Sequence, residues 1–252
     1  MSLRTSHQTG VAISFEIRKG IWMIEFLFLD LDDTILDFKK AESIAIRRTM
    51  AAYGADPSDA NAARYSVVND LHWKALERGE MTREQVLKGR FTMFFGELGI
   101  EVDPAAVAMT YENFLSQGHF FLPGAEETVK QKLFGKYKLY LASNGTAVVQ
   151  KGRMTSADLY PYFEESFVSQ ELGHNKPTRE YFEAAFARIP GFNKAECLMV
   201  GDSLTSDILG GKNAGVRTVW VNPHHKTAPE HIRPDYEIKY LADLPALLEE
   251  IG

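Results

Sequence analysis

Cysteine is nearly absent from this chain. Cys197 is the one cysteine in 252 residues, so an intramolecular disulfide is impossible and nothing requires an oxidising compartment. Its neighbours, AECLMVGD, are typical of a buried strand. We therefore expect its thiol to behave as a small hydrophobic group and not as a reactive nucleophile.

Long apolar segments are also missing. The longest candidate, IWMIEFLFL, is interrupted by Glu25 and falls short of the roughly 18 to 20 residues that span a bilayer. The run leads into acidic residues instead of a small-residue cleavage site, which argues against a signal peptide. We expect no membrane partner, and the cytoplasm is the default location.

An excess of basic residues is the third absence. The chain has 28 Lys plus Arg against 34 Asp plus Glu, a formal net charge of −6. A protein that binds a nucleic-acid backbone normally has the opposite balance, so no nucleic-acid partner is expected. Small molecules or proteins are the expected partners, and a bound metal ion can still attract a phosphate locally.

Four apolar runs define the fold class. They are EFLFLDLDDT, YKLYLASNG, AECLMVGD and VRTVWVN, each followed by polar or glycine-rich residues and separated by helical patterns. This alternation predicts a doubly wound, mainly parallel α/β sheet of the Rossmann type. Ligands of such sheets bind beyond the carboxyl ends of the strands.

The chain divides into a core and an insertion. Residues 1–22 are polar at first and read as an N-terminal extension of uncertain role, with an extra edge strand as the alternative. Residues 37–121 carry helical apolar spacing throughout. Because they interrupt a core of residues 23–36 and 122–252, they predict an all-helical cap domain over the active site.

Several helix starts can be read directly. Thr82 and Gln85 have the spacing of a capping box. Asp56 and Asp103 are each followed by a proline, the pattern of an N-cap with a first-turn proline. Asp243 is the expected cap of a C-terminal helix.

The first segment with chemical potential is DLDDT, residues 30–34. Asp30 and Asp32 lie two apart where a buried strand ends, and four aspartates fall within eight residues. Such carboxylates repel one another unless a cation or solvent compensates them. The alternative is an acidic turn that caps the next helix.

Two further segments can contact an anion. In LASNG, Ser143, Asn144 and the local backbone N–H groups can bind oxyanions, although Ser-Asn-Gly is also an ordinary turn. In NKP, Lys176 precedes a proline and its ammonium can point into a cleft. A solvated surface lysine is the alternative for Lys176.

The fourth segment is VGDSLTSD, residues 200–207. Asp202 follows an apolar strand, and Asp207 lies about one and a half helical turns later. Carboxylates so placed can complete an oxygen site for Mg²⁺. A helix N-cap at Asp202 or Ser203 is the alternative.

Together the four segments resemble the motifs of the haloacid dehalogenase-like (HAD) hydrolase superfamily. DLDDT, LASNG, NKP and GDSLTSD match these motifs in order, and the resemblance covers most of residues 25–252. It implies that Asp30 is the nucleophile and Asp32 the general acid and base. It also implies a Mg²⁺ site made of Asp30, the Asp32 backbone carbonyl and Asp202, with Asp207 as a second ligand or an outer support. The groups implied to position the phosphoryl oxygens and the nucleophile are Thr34, Ser143, Asn144 and Lys176.

Within the superfamily, the chain resembles bacterial pyrimidine 5′-nucleotidases of the house-cleaning type. LHWKALERGEMTREQVLKGRF and VGDSLTSDILGGKNAGVRTVWVNPHH carry this likeness. Asp32 argues against a haloalkanoate dehalogenase. Asp33 stands where many phosphatases and mutases of the superfamily have Gly, which reduces the likeness to sugar-phosphate mutases. The resemblance implies a Mg²⁺-dependent phosphatase for nucleoside 5′-monophosphates that forms an aspartyl phosphate. A phosphatase for sugar phosphates or phosphoglycolate, a phosphomutase and a non-catalytic phospholigand-binding protein remain alternatives.

The substrate contacts outside the core are less defined. Trp73, Arg90 and Phe91 are candidates for contact with the base or sugar, and helix packing is the competing role for aromatic residues in this region. The adjacent His224 and His225 suggest a metal pair, but a solvated loop is the favoured interpretation. A monomer and a homodimer are both compatible with the sequence.

Overall fold

The computed structural model describes residues 23–251. The predicted N-terminal extension, residues 1–22, and its alternative as an edge strand therefore lie outside the described residues. Within residues 23–251, no helix combines the length and the apolar character needed to cross a membrane.

One parallel sheet organises the molecule. Its spatial order is β3-β2-β1-β4-β5-β6, and every neighbouring pair is parallel. The strands are β1 (Phe26–Leu29), β2 (Lys138–Ser143), β3 (Glu165–Val168), β4 (Cys197–Gly201), β5 (Arg217–Val221) and β6 (Tyr236–Ile238). The predicted doubly wound α/β fold is confirmed.

The central strand shows why an unbroken apolar run forms it. All four residues of β1 are buried, and its side chains alternate between the two faces of the sheet. Leu27 and Leu29 join one hydrophobic cluster, whereas Phe26 and Phe28 join an aromatic cluster on the opposite face. Because both faces are covered, the strand needs apolar residues at every position.

Helices cover both faces and fill the interval after β1. The first four are α1 (Phe38–Ala52), α2 (Asp59–Glu77), α3 (Arg83–Glu97) and α4 (Pro104–Leu115). The others are α5 (Ala125–Glu127), α6 (Ala147–Ser156), α7 (Ser169–Leu172), α8 (Arg179–Phe186), α9 (Leu209–Ala214) and α10 (Leu244–Ile251). Helices α1–α4 share a hydrophobic core, which Val149 of α6 joins, and are called here the helical block.

The helical block joins the sheet through two adjacent segments. Leu36 and Phe121 form an antiparallel bridge, flanked by backbone hydrogen bonds from Asp37 to Phe120 and from Leu122 to Ile35. Chain entry and exit therefore lie side by side. The geometry is compatible with a separate cap, whose limits at residues 37 and 121 stay a prediction.

The helix starts are partly as expected. The Thr82–Gln85 capping box and the Asp103 N-cap are present. The prediction for Asp56 is wrong, since Ser58 is the N-cap of α2. The Asp56 carbonyl accepts instead from the side chain of Asn61 and does not start the helix. Asp243 directly precedes α10 in a 3₁₀ turn, and its carboxylate accepts from the Tyr240 N–H in a capping box at the start of that turn, so its role as the cap of α10 stays a prediction.

Candidate active site

A buried lysine joins two aspartates at the carboxyl edge of the sheet. The Lys176 Nζ donates to Asp30 Oδ1 at 2.8 Å, to Asp207 Oδ1 at 2.6 Å and to the Ala142 carbonyl at 2.6 Å. Lys176 is 1% exposed, so the alternative of a solvated surface lysine is wrong. Because β1, β2 and β4 are parallel and in register, their ends bring these residues together from distant parts of the chain.

Three carboxylates share this edge. Asp30, Asp202 and Asp207 each offer an oxygen within 4.8 Å of the others. Burial raises the pKa of Asp30 to about 8, opposed by Lys176 and reinforced by Asp207 and Asp32. Burial, with Asp207 and Asp30, also raises the pKa of Asp202 well above its usual range. Three carboxylates against one ammonium leave a formal charge of −3 + 1 = −2 when all are ionised, which a divalent cation with oxygen preference would balance.

The aspartates of DLDDT and the nearby Asp37 differ in the groups that they contact. Asp33 Oδ1 accepts from the backbone N–H groups of Phe38 and Lys39, and Asp37 Oδ1 accepts from Lys40. These two residues cap α1, as the alternative interpretation of the segment predicted. Asp30, Asp32 and Asp33 line the cavity described below. Asp33 has a φ of 56°, a left-handed conformation that Asp tolerates better than most residues.

Asp32 is held by two residues that the sequence analysis missed. Gln150 Nε2 donates to Asp32 Oδ2 at 2.6 Å, and Arg153 Nη1 forms an ion pair with Asp32 Oδ1. Arg153 is fully buried, and its Nε donates to the Gly118 carbonyl at 2.8 Å. Both residues lie on the buried face of α6, directly after the LASNG segment.

Ser143 and Asn144 differ in what they can contact. Ser143 Oγ accepts from the Gly145 N–H at 3.0 Å and from Gln150 Nε2 at 2.7 Å, and the residue lines the cavity. The Asn144 side chain accepts from the Lys176 N–H and donates to the Lys176 carbonyl, both at 2.8 Å. Its amide therefore holds the Lys176 loop, and Asn144 also lines the cavity, so its predicted role in positioning the phosphoryl oxygens and the nucleophile stays a prediction.

Thr34 does not reach the other predicted residues. It is fully buried, is not among the residues that line the cavity, and its hydroxyl has no hydrogen-bond partner in residues 23–251. Its predicted contact with phosphoryl oxygens has no geometric support. Its predicted role therefore stays a prediction.

Asp207 is fixed by the start of the helical segment after β4. Its Oδ2 accepts from the Ser203 N–H at 3.0 Å, while Ser203 itself caps the segment. The Ser203 alternative for the cap is thus correct, and Asp202 lines the cavity. A Cβ placed on Gly201 would lie 2.2 Å from Asp207 Oδ2, so only glycine leaves room for this carboxylate.

A cavity of about 560 Å³ connects the aspartates with the helical block. This volume is within the range of small-molecule sites. Trp73 and Arg90 line it together with Asp30 and Asp202. Phe91 instead lies in the hydrophobic core of the block. His224 and His225 are exposed and do not belong to the carboxylate group.

One arginine of the helical block reaches across to the sheet. Arg83, the first residue of α3, donates to the carbonyls of Asn144 at 3.1 Å and Gly145 at 3.3 Å. It also donates to Ser169 Oγ and Asn175 Oδ1. Three of these four acceptors belong to the LASNG and NKP segments, so the position of the block is coupled to the site.

The comparisons with known proteins agree with this geometry. Residues 24–215 match the family model described as haloacid dehalogenase-like hydrolase. The chain belongs to this family. The predicted superfamily and enzyme class, a hydrolase, are therefore confirmed.

Three relatives bear on the activity within the family. Pyrimidine 5′-nucleotidase PynA of Streptococcus pneumoniae is 36% identical over 90% of this chain and 95% of its own. Pyrimidine 5′-nucleotidase YjjG of Escherichia coli is 30% identical over 89% and 97%. The solved structure of the HAD-hydrolase YfnB of Bacillus subtilis, bound to magnesium, superposes with a TM-score of 0.85 at 38% identity, over 90% of this chain and 99% of that one. Two of these relatives are named pyrimidine 5′-nucleotidases, so the predicted resemblance of the chain to that group is confirmed.

Proposed function

We propose that this hydrolase is a Mg²⁺-dependent phosphatase for nucleoside 5′-monophosphates, with pyrimidine nucleotides preferred. The observation that carries the proposal is the convergence of Asp30, Asp202, Asp207 and Lys176 at one end of a cavity. The two relatives named as pyrimidine 5′-nucleotidases support the choice of substrate.

The donor set suits Mg²⁺. The carboxylates of Asp30 and Asp202 and the predicted backbone carbonyl of Asp32 are the hard oxygen donors that this ion prefers. Both oxygens of Asp207 already accept hydrogen bonds, from Lys176 and from Ser203, which favours a supporting role for Asp207. When bound, the ion would neutralise the charges of the phosphoryl group and the aspartates.

The protein groups then divide the reaction. The Asp30 carboxylate attacks phosphorus while the ester P–O bond breaks, and Asp32 donates a proton to the departing alkoxide. In the second half, Asp32 removes a proton from a water molecule that attacks the aspartyl phosphate, releasing inorganic phosphate. Lys176 holds Asp30 in place and offsets charge, and the Ser143 hydroxyl is within the cavity for a phosphoryl oxygen.

The helical block serves as a cap in this proposal. It supplies Trp73 and Arg90 to the cavity wall, and Arg83 ties it to the loops around the site. Closing a site in this way excludes water from a reactive phosphoryl intermediate. Without such cover, an aspartyl phosphate and its leaving group would be exposed to solvent throughout the reaction.

A phosphate-release panel tests the proposal. The purified chain should release phosphate from uridine and cytidine 5′-monophosphates with Mg²⁺, and EDTA should abolish the release. Asp30→Asn should be inactive, while Asp37→Asn in the same loop, which only caps α1, is the matched control and should stay active. Faster turnover of a sugar phosphate or phosphoglycolate would contradict the nucleotide assignment, and equal activity of Asp30→Asn would contradict the mechanism.

A further inference from the structure

Three polar residues form a connected wall on the helical side of the cavity. Glu42 from α1, Asn69 from α2 and Arg90 from α3 all line the cavity, and each is 3% exposed. We call this set the polar wall. The same face of α2 also carries Trp73, four residues after Asn69, so the wall and an indole ring adjoin the same space.

Hydrogen bonds fix the direction of donors and acceptors along the wall. Arg90 Nη1 donates to Asn69 Oδ1 at 2.7 Å, and Asn69 Nδ2 donates to Glu42 Oε1 at 2.7 Å. Because an arginine cannot accept a hydrogen bond, the orientation of the Asn69 amide is determined. The wall therefore has a donor end at Arg90 and an acceptor end at Glu42.

The wall is not fully satisfied by the protein. The Nε–H of Arg90 has no hydrogen-bond partner among the described residues, and neither has Oε1 of Glu112 from α4, which lines the same cavity. Burial raises the pKa of Glu42, opposed in part by Ser66 and then by the hydrogen bond from Asn69. A buried polar atom without a hydrogen-bond partner destabilises the fold unless a ligand or a water molecule supplies that partner.

Trp73 provides a flat surface beside the wall. The guanidinium carbon of Arg83 lies 5.6 Å from its ring centroid, and that of Arg90 lies 5.9 Å from it. Two cations near the ring restrict its movement, and the half-buried indole still borders the cavity. A planar heterocycle can stack on such a ring, whereas a sugar phosphate has no π face to offer.

We infer that the polar wall and Trp73 recognise the base of the nucleotide, with Trp73 stacking on the ring and the wall pairing with its polar edge. A pyrimidine edge places an acceptor beside a donor, a carbonyl oxygen beside the N3–H in uracil and the ring N3 beside the 4-amino group in cytosine. This edge complements Arg90 at one end of the wall and Glu42 at the other. The phosphate lies at the opposite end of the cavity, near Asp30. This inference rests on the proposed function and specifies the substrate class of the same site.

The test compares a substrate that has a base with one that lacks it. The specificity constants kcat/KM for uridine 5′-monophosphate and ribose 5-phosphate are measured in wild type, Asn69→Ala, Trp73→Leu and Thr92→Ala. Thr92 is exposed on α3 and does not line the cavity, so it serves as the control. The ratio of the two constants should fall about 10- to 100-fold in Asn69→Ala and about tenfold in Trp73→Leu, and should not change in Thr92→Ala.

The ratio separates loss of recognition from loss of folding. A misfolded variant loses both activities together, so its ratio is unchanged, and thermal unfolding identifies it. Trp73→Leu, at a half-buried site, remains decisive if Asn69→Ala unfolds. A ratio unchanged in both variants would overturn the inference and leave the proposed function intact. A wild type that shows no preference for the nucleotide would overturn both.

Discussion

Replacing Arg83 should weaken catalysis without touching the reacting groups. Its guanidinium bridges the helical block and the sheet through four acceptors, two of them backbone carbonyls next to Ser143. Arg83→Met keeps the length of the aliphatic stem and removes every one of these donors. The block then loses its charged attachment to the LASNG and NKP loops, and the closed arrangement becomes less favourable.

The size of the effect follows from the hydrogen bonds lost. Hydrogen bonds from a charged donor contribute about 1.5–3 kcal/mol each. Arg83 is only partly buried, and water can replace it at the carbonyls once the block moves away. Taking two bonds at the low end gives about 3 kcal/mol, or about 100-fold in the equilibrium between closed and open states. If the closed state is in large excess in the wild type, part of the change in this equilibrium leaves most molecules closed. The fall in kcat/KM should therefore lie between about 10- and 100-fold.

The assay needs a matched arginine and a structural readout. Arg78→Met is the control, because Arg78 is exposed in the same block and pairs only locally with Glu80. We expect kcat/KM to fall in Arg83→Met alone, together with an increased radius of gyration in small-angle scattering. A double-mutant cycle with Asn175→Ala should show coupling. If Arg83→Met matches Arg78→Met in both rate and dimensions, the reasoning is refuted.

Other residues allow three more checks. Added Mg²⁺ should raise the melting temperature of the wild type, and it should raise that of Asp202→Asn much less because the variant lacks one carboxylate of the cluster. An equal rise in both proteins would contradict the metal site. Burial raises the pKa of the Cys197 thiol, so a thiol reagent at pH 8 should react slowly with the native protein and should label the denatured protein at one site. Rapid labelling of the native protein would contradict the packing of Cys197. Gly201→Ala should reduce turnover by more than about 100-fold, because its methyl group displaces the Asp207 carboxylate; activity near that of wild type would show that the strand end has room.

The core of the site was predictable because of how parallel sheets are built. Apolar runs such as FLFL identify strands, and polar residues directly after them must meet at one edge. Asp30, Ser143 and Asp202 come together for this reason although they are far apart in the chain. The register of β1 with β2 and β4 then fixes their relative heights.

Residues that act across long distances were missed because no local pattern marks them. Arg153 pairs with an aspartate 121 residues earlier, and Arg83 reaches a loop 61 residues later. A weaker signal exists for α6. Its buried positions are Val149, Gln150, Arg153 and Met154, so two polar residues occupy the apolar face of a helix.

The same kind of signal is present in the helical block, and it has an energetic meaning. Arg90 lies four residues after Val86 and four before Phe94, on the buried stripe of α3, and Asn69 lies four residues after Tyr65 on α2. Helical packing alone would favour apolar side chains at these positions, since replacing a whole buried charged and polar set by well-packed apolar residues of similar volume is often neutral or stabilising. Polar residues retained on an apolar stripe are therefore expected where a ligand, and not the fold, supplies the missing partner. Asn69 and Arg90 line the same cavity as Asp30. The two polar residues that interrupt the apolar stripes of α2 and α3 therefore lie at the candidate site.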